Sequence, residues 1–211
     1  MAIILVFGDS IGYGRWDAKG GWAEHLRSLY MQKNMVNIDP YFEVYNLSVD
    51  GSNSVDLLER LEFEIRQRTK DKEETKIIVA VGINDSQIGS VGISIEKFEK
   101  NINLLIKIAS KHSSKIVFIG LSPVDELKTN PIPWDKKMFY KNKRIKKYDN
   151  IIKSICQKNN IYFIDILDEL WRLDYKKMLE DGLHPNSEGH KKIFEIVRDF
   201  LIEKGIVEKN N

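Results

Sequence analysis

Short apolar runs recur along the chain at 3–7, 42–45, 77–81, 116–119 and 161–163. Each is rich in β-branched or aromatic residues and too short for a helix, so each predicts a strand. Between them lie segments whose apolar residues return at helical spacing. Residues 22–33 place Trp22, Leu26, Leu29 and Tyr30 on one face, and 55–68 place Leu57, Leu58, Leu61 and Ile65. Residues 95–111, 139–158 and 188–203 continue the pattern. Strand and helix alternate five times, which predicts right-handed crossovers and a parallel sheet covered on both faces. No internal repeat or linker interrupts the 211 residues, which are read as one domain over 1–211. The least regular stretch is 123–135, with Pro131 and Pro133, and its length suits a binding loop.

Ligands of such sheets bind beyond the carboxyl ends of the strands, so the residues following each strand carry the functional signal. After the first comes Gly8-Asp9-Ser10, then a glycine-rich turn. After the second comes the stretch 46–54, containing Gly51, and after the third Gly82-Ile83-Asn84-Asp85. Ahead of the last helix lies Asp181-Gly182-Leu183-His184-Pro185. A serine hydroxyl needs a base at neutral pH, and imidazole titrates in the right range. Of the four histidines only His184 lies in a loop on the expected side, with Asp181 three residues earlier to orient it. The natural oxyanion donors are the N–H groups of Ser10 and Gly51 and the side-chain amide of Asn84. Each has a plainer reading too. Ser10 could cap a helix, His184-Pro185 could form a turn, Asn84 could sit in an Asx turn, and Gly51 could be only a turn glycine. Asp9 and Asp85 are read as holders of their turns. Trp16 and Trp134, in loops on the same side, either line a substrate pocket or cover an edge.

Composition narrows the partners. The chain is 42 % hydrophobic and 30 % charged, with a formal net charge of +2, which implies neither nucleic acid nor a membrane surface. No apolar run is long enough to span a bilayer. The apolar start lacks a basic n-region and leads directly to Ser10, so it reads as a strand and not a signal peptide. The single cysteine excludes an internal disulfide, and a cytoplasmic location is expected. Asp181, His184 and His190 match no zinc spacing, so no metal and no cofactor are expected. The run 136–147 carries seven basic residues in twelve and reads as the solvated face of a helix.

Gly8-Asp9-Ser10, Gly51, Gly82-x-Asn84-Asp85 and Asp181-x-x-His184-Pro185, in that order over nearly the whole chain, resemble the blocks of the GDSL-type SGNH hydrolases. These are esterases and lipases. The resemblance implies a flavodoxin-like, three-layer α/β/α sandwich with about five parallel strands in the order 2-1-3-4-5. It implies Ser10 as nucleophile, His184 as base, Asp181 as its partner, Gly51 and Asn84 as oxyanion donors, and a small-molecule ester as substrate; with no long apolar lid segment in the sequence, acyl groups of short to medium length are expected. The alternative is a catalytically silent module binding carbohydrate or lipid on the same fold. Three positions depart from the family pattern. Ile11 stands in place of leucine, Gly12 where a hydroxyl residue is common, and Ser48 where glycine is frequent.

Overall fold

The computed structural model describes residues 2–36, 41–69, 74–89 and 91–207. Its five strands are β1 (Ala2–Gly8), β2 (Phe42–Asn46), β3 (Glu74–Ala80), β4 (Lys115–Ile119) and β5 (Tyr162–Ile164). They form one all-parallel sheet in the order β2-β1-β3-β4-β5, as the resemblance implies. The longer helices are α2 (Gly21–Val36), α3 (Ser54–Arg68), α4 (Ile95–Ala109), α6 (Asn142–Lys158) and α8 (Ser187–Glu203). Three short ones, α1 (Ser10–Tyr13), α5 (Glu126–Thr129) and α7 (Ile166–Trp171), and a 3₁₀ turn at Tyr175–Met178 were not legible as periodic segments.

Strand β1 shows why the sheet is buried on both faces. Successive side chains point to opposite sides. Ile3, Leu5 and Phe7 pack with Leu57, Leu61 and Ile65 of α3, Phe98 and Ile102 of α4, and Tyr148 and Ile152 of α6. Ala2, Ile4 and Val6 pack with Trp22, Leu26 and Tyr30 of α2, Ile166 of α7, and Val197 and Leu201 of α8. The result is a helix–sheet–helix sandwich with β1 and β3 at its centre. Among the described residues no helix is long and apolar enough to cross a membrane.

The stretch 123–135 differs from a plain loop. Asp125 accepts a hydrogen bond from the Leu127 N–H (3.3 Å) and starts α5, which stops at Thr129 ahead of Pro131. The run 136–147 also differs in part. Its lysines are exposed, but Arg144 donates to the Ser86 carbonyl (2.8 Å) and to the Tyr148 hydroxyl (2.8 Å), tying α6 to the segment after β3.

Candidate active site

Helix α1 starts where β1 ends, and its cap is Asp9, whose carboxylate accepts the Ile11 N–H (2.9 Å). The helix-cap role considered for Ser10 therefore belongs to its neighbour. Ser10 is the first helical residue, with an N–H that no turn of the helix can satisfy. At the other end of α1, Gly14 has φ 91°, and a Cβ there would lie 2.1 Å from the Gly20 carbonyl oxygen.

Ser10, His184 and Asp181 form a continuous hydrogen-bonded line. The Ser10 Oγ lies 3.0 Å from His184 Nε2, and His184 Nδ1 lies 2.7 Å from Asp181 Oδ2. A carboxylate only accepts, so Nδ1 carries the ring proton and Nε2 is left to accept from the serine hydroxyl. Asp181 is itself tightly held. Its Oδ1 accepts the N–H groups of Leu183 (2.9 Å) and His184 (2.8 Å). Its Oδ2 also accepts the indole N–H of Trp16 (2.7 Å). Burial opposes the charge on Asp181, but the hydrogen bonds from the His184 ring and from the His184 and Leu183 backbone outweigh it and hold the carboxyl well below the usual range.

The Trp16 bond was invisible in the sequence, which suggested either a pocket wall or the cover of an edge. Trp16 has φ 68°, a left-handed conformation that costs a tryptophan about 1–3 kcal/mol. Asp17 fixes the segment. It accepts from the Lys19 and Gly21 N–H groups (3.2 and 3.1 Å), from His25 Nε2 (3.0 Å) and from the Ser187 hydroxyl of α8 (2.9 Å). His190 of α8 donates from Nε2 to the Arg15 carbonyl (3.0 Å). On the other side Trp134 stacks on the His184 ring, with centroids 5.9 Å apart and planes at 24°. Both tryptophans are about half exposed and flank the buried imidazole.

The three expected oxyanion donors occupy adjoining segments. Gly51 has φ 76° in the exposed turn closed by the Ser52 N–H to Val49 carbonyl bond (3.1 Å). Among the described residues nothing beyond its chain neighbours lies within 4 Å of where its Cβ would be, so backbone conformation, not crowding, requires glycine there. Asn84 donates from Nδ2 to the carbonyl of Ser52, the next residue (2.9 Å). Among the described residues neither the Ser10 N–H nor the Gly51 N–H has an acceptor in the fold. Asp85 joins the two segments from beneath: it accepts the N–H and hydroxyl of Ser54 at the start of α3, and Asn101 donates to the same hydroxyl (2.8 Å). Both aspartates read as turn holders make such contacts. Among the described residues no group of three His, Cys, Asp or Glu side chains could hold a metal ion.

Two departures from the family pattern face each other. A Cβ on Gly12 would lie 2.4 Å from the Ser48 Oγ, and one on Gly8 2.7 Å from it. The hydroxyl expected at 12 is absent, and Ser48 fills that space. Gly12→Ser should cost about 1–3 kcal/mol by overpacking. Adding Ser48→Gly should recover most of that loss in chemical denaturation. A double-variant loss equal to the sum of the two single-variant losses would show the two positions to be independent.

Three buried carboxyls carry a pH signature. Burial raises Asp9 to about 7, Asp85 to about 6 and Asp149, which accepts the Leu121 N–H (2.8 Å), to about 6, each from 3.8. Between about pH 4 and 7 the folded chain holds protons the unfolded chain has lost, so stability falls as pH rises through that window. His190, lowered by burial, works the other way below 6.5, as one group against three. The melting temperature should drop by several degrees from pH 5 to pH 8. Asp149→Asn, which keeps an acceptor for Leu121, should shrink the drop. A flat or rising profile contradicts this account.

Comparison with known proteins gives the same outline. The model of the GDSL-like Lipase/Acylhydrolase family matches residues 6–192. The lipase/acylhydrolase from Enterococcus faecalis superposes with a TM-score of 0.76 at 22 % identity, over 100 % of both chains. The W215I variant of Axe2, an acetyl xylan esterase from Geobacillus stearothermophilus, gives 0.71 at 20 % identity, over 100 % of this chain and 97 % of that one. The acetyl xylan esterase AlAXEase gives 0.73 at 21 % identity, over 95 % and 100 %. No curated protein matches the chain in sequence.

Proposed function

The chain belongs to the GDSL-like lipase/acylhydrolase family, whose members hydrolyse ester bonds, and from that premise we propose a one-domain serine esterase working through an acyl-enzyme. The observation that carries this reading is the Ser10–His184–Asp181 line of hydrogen bonds at the carboxyl end of the sheet. Ser10 Oγ attacks the ester carbonyl while His184 Nε2 takes its proton. Asp181 keeps the ring in the required tautomer and stabilises the imidazolium. The oxyanion accepts from the Ser10 and Gly51 N–H groups and the Asn84 amide. His184 then hands the proton to the departing alkoxide. Water, deprotonated by the same nitrogen, releases the acid from Ser10.

The proposed substrates are small esters of short to medium acyl groups, met between Trp16 and Trp134. The acetyl xylan esterases among the similar structures add carbohydrate acetyl esters to that set. No cofactor enters the scheme. A cytoplasmic location belongs to the proposal; a lone cysteine, Cys156, buried, agrees with it. The test is a panel of p-nitrophenyl esters of rising chain length plus an acetylated sugar, with fluorophosphonate labelling of Ser10. Turnover highest at the short end and a Ser10 adduct are expected. No adduct under conditions that label a control esterase would make the protein a binding module on the same fold.

A further inference from the structure

The Asn84 side chain offers one carbonyl oxygen and two N–H groups. One N–H goes to the Ser52 carbonyl (2.9 Å), and a carbonyl can only accept, so the nitrogen end must face Ser52. The oxygen end meets the Tyr140 hydroxyl at 2.9 Å, and in this orientation the hydroxyl must be the donor. From this pairing we infer that Tyr140 is a positioning residue, which locks the Asn84 amide so that its second N–H is presented to the oxyanion of the reaction. The inference rests on the proposed reading of Asn84 as an oxyanion donor.

Tyr140 is built for the role. It lies just ahead of α6 and is almost wholly buried. Its backbone is clamped on both sides: its N–H donates to the Thr129 carbonyl (2.9 Å), and its own carbonyl accepts the Thr129 hydroxyl (3.0 Å). The phenol therefore has little freedom to leave Asn84. Burial, with Asp9 nearby, holds its ionisation far above the ordinary range, so it remains a donor throughout the working pH. A donor on the amide oxygen also polarises the amide and makes its free N–H a better donor to developing negative charge. The phenol itself touches neither substrate nor the serine in this scheme.

The experiment is a double-mutant cycle read in kcat and KM on a soluble acetate ester. Asn84→Ala should lose on the order of 10²–10³ in kcat. Tyr140→Phe keeps the ring and removes only the hydroxyl, and should lose roughly tenfold in kcat with KM nearly unchanged. In the double variant the second loss should vanish, leaving the activity of Asn84→Ala alone. If Tyr140→Phe costs the same factor whether or not Asn84 is present, it acts through general stability and the inference falls. An unchanged kcat in Tyr140→Phe, beside a large loss in Asn84→Ala, overturns the inference while the oxyanion reading survives. An unchanged kcat in Asn84→Ala overturns both.

Discussion

Ser10→Ala should lower kcat by about 10⁴–10⁶ while leaving the fold intact. Among the described residues the Oγ has one partner, His184 Nε2 at 3.0 Å, so its removal breaks a single hydrogen bond and empties a volume smaller than a methyl group. Stability should therefore move little, and the loss belongs to the missing covalent step. The Ser10 and Gly51 N–H groups and the Asn84 amide remain, so residual catalysis should exceed the uncatalysed rate. Turnover of p-nitrophenyl acetate is the measurement, with the melting curve as control. A variant keeping more than about one per cent of activity would remove Ser10 from the mechanism.

Asp181→Asn should cost about 10⁴ in kcat for a reason the hydrogen bonds make specific. Oδ1 accepts two backbone N–H groups, from Leu183 and His184, so the new amide must keep its oxygen there. Its NH₂ then replaces Oδ2, where the His184 Nδ1–H and the Trp16 Nε1–H both donate. Three donors cannot share that point. The imidazole responds by moving its proton to Nε2, presenting a donor to Ser10 where a base is needed. Trp16 loses its acceptor at the same time, so its emission should change together with activity. A loss below tenfold would mean that Asp181 only shapes the turn.

The strand ends were legible because buried parallel strands leave uninterrupted apolar runs, and the polar, turn-forming residues after each run stand out against them. That placed Ser10, Gly51, Asn84 and His184 on one side of the sheet from sequence alone. Asp181 was legible because it lies within one turn of its histidine. The supporting contacts were not. Trp16 reaches Asp181 across 165 residues and Tyr140 reaches Asn84 across 56, and neither carries a local pattern. Tyr140 was further masked by its setting in a basic run that reads as a solvated face. The short helices α1, α5 and α7 are each set by one capping aspartate, Asp9, Asp125 and Asp165, and offer too few turns for periodicity to register. The facing pair Gly12 and Ser48 looked like two separate oddities because sequence does not reveal that they touch.

Ser10 and His184 are 174 residues apart, and the chain between them supplies β2, β3, β4 and β5 of the sheet. Parallel pairings of this kind close long loops and form late. Ester turnover therefore times the end of folding. In a refolding chain, helical signal should recover before activity, and the lag between them measures how long the segment bearing His184 takes to settle against a sheet that is already built.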